Sequence, residues 1–229
     1  MEVPVLLLEF EGVLADTAAM RQAALAESLA ADGITLSAEL LQLVKGRSTE
    51  DALRQVRDFV GAPDDPTALD LSRLRAEKAF AARLGKGVLL QRDVRGALEK
   101  LSAVARLALV TRASRREVEF VLSLGGLEGM FRPIIALEDS VVAKPARAPY
   151  DAALARVSEL FPGQVLRGIA VEDSVRGVLA ARSAGLLTVL VGAHAAQDAM
   201  EADCWIESLA DLTPERIRLL LSPTVKGIG

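Results

Sequence analysis

Val3-Pro4-Val5-Leu6-Leu7-Leu8-Glu9-Phe10-Glu11-Gly12 decides how this chain is read. The run 3–8 is apolar throughout instead of alternating, the pattern of a strand covered on both faces. It ends in two carboxylates two residues apart and a glycine, and continues Val13-Leu14-Ala15-Asp16-Thr17. Residues i and i+2 of a strand point the same way, so Glu9 and Glu11 are expected side by side at its end. An acidic strand end of this kind is where an α/β protein places phosphoryl chemistry, because ligands of open parallel sheets bind beyond the carboxyl ends of the strands.

Outward from this segment, apolar β-like runs recur at residues 106–111, 133–137, 166–171 and 187–191, with a weaker one at 204–206, and the first strand is read as residues 3–10. Helical patterns separate them, at 94–103, 114–124, 149–160 and 175–184. Alternation of buried strands with helices predicts a Rossmann-like parallel sheet with helices on both faces.

The interval between the first and second strands has no strand-like run. Its apolar residues recur at helical spacing, predicting helices over 17–31, 37–44, 48–60 and 67–84, with Gly61-Ala62-Pro63-Asp64-Asp65-Pro66 as a breaker. An α/β core of residues 1–15 and 87–229 with an inserted α-helical cap over 16–86 follows, and Gly85-Lys86-Gly87 is the return hinge. Residues 223–229 read as a frayed tail.

Composition narrows the function. With 229 residues, 51% hydrophobic and 3% aromatic, the chain can bury a full core but has few rings on which bases could stack. Its 27 Lys+Arg against 31 Asp+Glu give a net charge of −4 and no basic surface for polyanions, so nucleic acid is not the expected partner. Cys204 is the single cysteine, expected as a buried thiol. No apolar run approaches the roughly 20 residues of a bilayer span, and Met1-Glu2-Val3-Pro4 lacks the positive start of a signal peptide. No membrane association is expected, and the expected location is cytoplasmic.

The strand ends collect a defined set of groups. The first carries Glu9 and Glu11; the second carries Thr111, within Val110-Thr111-Arg112-Ala113-Ser114; Lys144-Pro145 follows the third; Glu172-Asp173-Ser174 closes the fourth. In this order and spacing they resemble the haloacid dehalogenase superfamily, in its phosphatase and sugar-phosphate mutase branch with a helical cap after the first strand.

The resemblance implies attack on a phosphate ester by a carboxylate nucleophile, with a second carboxyl group as acid and base. Glu9 stands at the nucleophile position and Glu11 at the acid/base position, while Thr111 and Lys144 match those that hold the phosphoryl oxygens. It also implies Mg2+, held by Glu9, the carbonyl of Glu11 and Asp173, with Glu172 near by; the crowded carboxylates call for such a cation. In the cap, Lys45-Gly46-Arg47-Ser48 is similar to the Lys-Gly-x-Ser substrate loop of β-phosphoglucomutase-like proteins, or is an ordinary connection with Ser48 as helix N-cap. Arg112, with Arg115 and Arg116, fits either a phosphate or a solvated helix start. A mutase and a dehalogenase are both disfavoured: Arg21 stands where the mutases carry a cap histidine, His194 reads as solvated, and a dehalogenase needs the short aspartate.

Both acidic positions of the first motif are normally aspartate in that family. Glutamate changes the reference pKa by only about 0.4 unit, but its extra methylene moves the carboxylate by roughly 1.5 Å. The expectation is a retained cation site and a small phosphorylated metabolite as ligand, with phosphoryl transfer impaired or absent. The alternatives are an active Mg2+-dependent phosphatase and a pseudophosphatase acting as a binding or regulatory protein, with a protein partner.

Overall fold

A computed structural model of the chain describes residues 2–44, 47–87, 89–140, 142 and 144–222. The chain divides into two compact units, residues 1–16 with 89–229, and residues 17–88. In the first unit, β1 (Glu2–Leu8), β4 (Arg106–Val110), β5 (Ile134–Ile135), β6 (Val165–Glu172), β7 (Leu187–Val191) and β8 (Cys204–Ile206) form one sheet in the order β5-β4-β1-β6-β7-β8. Every pairing in it is parallel. The helices α5 (Val94–Ser102), α6 (Arg115–Gly125), α7 (Ala148–Leu160), α8 (Val175–Ser183), α9 (Ala196–Ala199) and α10 (Pro214–Leu221) complete a Rossmann-like arrangement with helices on both faces.

The apolar run at residues 3–8 explains why β1 is central. Val5, Leu6, Leu7 and Leu8 are all fully buried, so consecutive side chains on opposite faces both meet core. Complete burial of one such leucine is worth about 1.5–3 kcal/mol. Val5 and Leu7 share one layer with Ala108, Val110, Tyr150, Ala153 and Val157, which seats α7 against the sheet.

The second unit comprises α1 (Ala18–Ala31), α2 (Ala38–Val44), α3 (Thr49–Phe59) and α4 (Pro66–Leu84). Leu25, Leu29, Leu40, Val44, Leu53 and Val56 form its core. Asp32, just beyond α1, accepts from Ser72 Oγ at 2.5 Å and pairs with Arg75. The breaker at residues 61–66 ends as a helix start: Asp65 accepts the N–H groups of Thr67 and Ala68, and Pro66 occupies the first turn, where its missing N–H costs nothing.

Helix and strand limits differ from the sequence reading by at most two residues, and two differences matter. A two-residue antiparallel ribbon, β2 (Ala15–Asp16) with β3 (Leu89–Leu90), lies where the chain leaves and re-enters the first unit. Two residues are too few to show a period. The first strand also stops at Leu8 and not at Phe10, so Glu9 and Glu11 lie in the loop beyond it and strand alternation does not set their directions. The tail at 223–229 lies outside the described residues.

Candidate functional site

Sheet register brings the strand ends together. Leu8 is level with Leu109 of β4 and with Val171 of β6, and the Glu9 N–H donates to the Val171 carbonyl at 2.9 Å. Glu9 is therefore beside Glu172, the last residue of β6, and beside the end of β4. The loop then turns sharply: Leu14 and Ala15 both donate to the Phe10 carbonyl, and Gly12 adopts φ +79°. That conformation favours glycine, and a Cβ there would lie 2.5 Å from Asp173 Oδ2, so glycine also lets the loop close onto Asp173.

Lys144 is the hub. Its Nζ donates to Glu9 Oε2 at 2.7 Å, Glu172 Oε1 at 2.5 Å and the Val110 carbonyl at 2.9 Å. An ammonium has three N–H donors, and all three are used. Glu9 Oε1 accepts the Phe10 N–H at 2.7 Å, so both oxygens of that carboxylate are engaged as well. Glu9, Lys144 and Glu172 are 7%, 5% and 1% exposed, which makes this a buried ion-paired cluster and not a surface salt bridge.

Two further groups complete it. The Tyr150 hydroxyl donates to Glu172 Oε1 at 2.5 Å, and the Lys144 ammonium lies 5.1 Å from the centre of the Tyr150 ring. Glu172 Oε2 is buried with no hydrogen-bond partner among the described residues. Thr111 is buried at the end of β4, where its Oγ1 accepts the Ala113 N–H at 3.1 Å.

Charge is unevenly distributed over these groups. Burial lowers the Lys144 pKa, but Glu172 and Glu9 more than reverse this, and the ammonium stays charged. Burial raises the Glu172 carboxyl, and Lys144 opposes that rise. At Asp173 the balance goes the other way: burial first, then Glu172 and Glu9, push its carboxyl up to about 8 against the opposing pull of Lys144.

The raised Asp173 pKa makes stability pH-dependent. The folded state holds the proton until about pH 8 while the unfolded chain releases it near the ordinary value of 3.8. Stability from this group is thus full below about pH 4 and is lost as pH rises towards 8. Asp173→Asn removes that loss. It is expected to raise the melting temperature at pH 8 by about 5–10 °C and to leave it unchanged near pH 4, in thermal denaturation without divalent cations. A gain of equal size at both pH values would show that the carboxyl is not the cause.

A divalent cation fits the donor chemistry. Burial, Glu172 and Glu9 raise the Asp173 carboxyl more than Lys144 lowers it, and among the described residues Glu172 Oε2 is an orphaned buried acceptor. Among the described residues, no three or more His, Cys, Asp or Glu side chains are grouped so as to hold a metal ion. Mg2+ does not require such a group: it keeps several waters and takes one or two carboxylates.

Of the residues singled out in the sequence, Glu9, Lys144, Glu172 and Asp173 share this cluster, with Thr111 next to Val110 at its edge. Glu11 is partly exposed and bridges to Ala15. Arg112 is partly buried one residue on from Thr111, whereas Arg115 is committed to the Ile134 carbonyl and Asp139. Lys45 and Gly46 lie outside the described residues. Within the second unit, Arg47 Nε donates to the Leu43 carbonyl, and Ser48 caps α3 by accepting the Asp51 N–H. Arg21 stacks on Phe80 in the same unit, and His194 Nε2 contacts the Val191 carbonyl. Cys204 is partly exposed, not buried as expected. Tyr150 and Gly177 went unnoticed in the sequence; the signal available was that Tyr150 is the chain's only tyrosine and follows Lys144 by six residues.

No helix among the described residues is long and apolar enough to cross a membrane. Comparison with known proteins gives a consistent result. The family described as haloacid dehalogenase-like hydrolase matches residues 6–191. A phosphoglycolate phosphatase of Caulobacter vibrioides is 28% identical, over 96% of this chain and 94% of that protein. Among solved structures, β-phosphoglucomutase from Clostridium difficile superposes with a TM-score of 0.81 at 18% identity, covering 95% of this chain and 96% of the other. A CbbY mutant from Rhodobacter sphaeroides, solved with xylulose-(1,5)bisphosphate, gives 0.77 at 23% identity, covering 93% and 96%.

Proposed function

Because the chain belongs to the haloacid dehalogenase-like hydrolase family, we propose that it binds a small phosphorylated metabolite beyond the ends of β1, β4 and β6 and hydrolyses the ester slowly or not at all. The observation that carries this reading is the closed Lys144–Glu9 pair. Both oxygens of Glu9 and all three N–H groups of Lys144 are already engaged. A phosphoryl oxygen reaches Lys144 only by displacing one of these acceptors. Glu9 cannot approach phosphorus without giving up the Phe10 N–H or Lys144.

Glu9 is the proposed nucleophile position. Its carboxylate oxygen would form the bond to phosphorus as the ester oxygen leaves, and Glu11 would protonate that oxygen and later take a proton from water. Thr111 and Arg112 are proposed to face the phosphoryl group. Asp173 and Glu172 would hold Mg2+ with the Glu11 carbonyl, and the ion would offset the charge of the incoming phosphate. The added methylene in Glu9 and again in Glu11 displaces each group by roughly 1.5 Å. A misplacement of about 1 Å is enough to cost on the order of 10²-fold in rate.

The ligand class follows from the relatives, whose names and complexes include phosphoglycolate and xylulose bisphosphate. Thermal shift with such esters in Mg2+, run beside phosphate release, tests the reading. Stabilisation with turnover below about 1 s⁻¹, the low end for enzymes, is expected. Turnover at or above that rate would overturn the claim of impaired hydrolysis, and an absence of stabilisation by any ester would overturn the claim of binding.

A further inference from the structure

Lys144 lies outside the helices and strands, in the segment between β5 and α7. Its ammonium is fully bonded, yet no main-chain bond to another described residue holds its own N–H or carbonyl. A side chain takes that carbonyl instead: Arg176 Nη2 donates to it at 2.9 Å. Arg176 is the second residue of α8, and a cation there runs against the helix dipole, which favours acids in the first turn and bases in the last. Stability of α8 therefore gives no reason for an arginine at 176, whereas the bond to Lys144 does. The turn that carries it is fixed. Ser174 Oγ caps α8 by accepting the Gly177 N–H at 3.2 Å, and Gly177 lies so close to Glu172 that a methyl group there would overlap its carboxylate. Two consecutive residues of one turn thus seat both ends of the Lys144–Glu172 pair, Gly177 the carboxylate and Arg176 the lysine main chain.

We propose that Arg176 is a positioning residue for Lys144: by gripping its carbonyl, the guanidinium fixes the point from which the lysine stem reaches Val110, Glu9 and Glu172. A lysine needs such a hold, because its ammonium sits on a flexible four-carbon stem and can be aimed only as well as its main chain is placed. Arginine suits the task, since its planar fork is pre-organised and always charged. The hold on Lys144 stands on the geometry of α8; its value to a phosphoryl group rests on the proposed function.

Two measurements on the full chain test it. The first reads the Lys144 ammonium by proton–nitrogen correlation NMR in phosphate-free buffer. Ammonium protons of exposed lysines exchange with water too fast to give a signal, so a buried, fully bonded ammonium stands out, and its closeness to the Tyr150 ring, 5.1 Å from the ring centre, assigns it. Arg176→Met keeps an aliphatic stem and removes the donor. It is expected to speed exchange of these protons about two- to tenfold, the range that one net hydrogen bond supports. Arg182→Met makes the same change in the same helix, where the arginine bonds Glu201 instead, and is expected to exchange as wild type. Exchange unchanged in Arg176→Met, or speeded equally by both variants, would overturn the proposal, as would a wild type in which the signal is absent.

The second measurement carries the positioning to phosphoryl chemistry, in a chain bearing Glu9→Asp and Glu11→Asp, which restore the aspartates normal to the family. Adding Arg176→Met is expected to lower kcat/KM for phosphate release about two- to tenfold, while adding Arg182→Met leaves it unchanged. Release unaffected by Arg176→Met would overturn the link between Arg176 and the reaction. Were the double variant itself inactive, the reading of impaired reach would fail, and the ammonium signal would still decide whether Arg176 holds Lys144.

Discussion

Lys144→Met is expected to destabilise the chain by about 3–5 kcal/mol, the range found when one partner of a buried ion pair is removed. The methionine has nearly the volume of the lysine stem, so little of this loss is a cavity. What remains is Glu9 and Glu172, both buried, without the ammonium that bonds each of them. The Val110 carbonyl loses its side-chain donor as well. Urea denaturation gives the measurement. A companion variant separates charge from packing: adding Glu9→Gln and Glu172→Gln to Lys144→Met removes the stranded charges and is expected to recover much of the loss. A Lys144→Met chain within about 1 kcal/mol of wild type would mean that the carboxylates are satisfied by another cation or by protons. The effect should also shrink at low pH, since the Glu172 carboxyl, raised by burial, then takes up a proton.

The same cluster shows what was legible beforehand. The continuous apolar run 3–8 dictated a strand buried on both faces, and β1 lies in the middle of the sheet. The order of the strands in the sheet, not their exact ends, is what brings Glu9, Lys144 and Glu172 together, and the short apolar runs between helical stretches locate the strands without giving that order. Strand ends are another matter. The Glu9 N–H still pairs with Val171, but beyond it Gly12 turns the chain towards Asp173; the glycine is visible in the sequence, whereas its close approach to Asp173 is a tertiary constraint. The ribbon of Ala15–Asp16 with Leu89–Leu90 joins segments more than 70 residues apart, and no short window contains both. Tyr150 falls within the helical stretch 149–160, and its hydroxyl acquires meaning only when α7 is packed so that it reaches Glu172. Gly177 likewise reads as an ordinary helix residue until Glu172 is seen to fill the space above it.

The double substitution Glu9→Asp with Glu11→Asp is expected to raise phosphate release from a generic phosphomonoester in Mg2+ by at least about 10²-fold. Shortening Glu9 withdraws its carboxylate by roughly 1.5 Å, which cannot leave both the Phe10 N–H and Lys144 contacts of the present side chain intact. At least one donor is thereby freed for a phosphoryl oxygen. Shortening Glu11 draws the proposed acid back by the same length. Each change alone should achieve much less than the pair, because a nucleophile without its acid, or an acid without its nucleophile, leaves one half of the transfer misplaced, and residues acting as a unit are not additive. The pattern therefore discriminates causes. A large gain confined to the double variant points to reach. A gain from Glu9→Asp alone points to release of Lys144. No gain in a double variant that melts cooperatively and still binds phosphate esters would mean that geometry elsewhere in the site, and not the added methylenes, limits the chemistry.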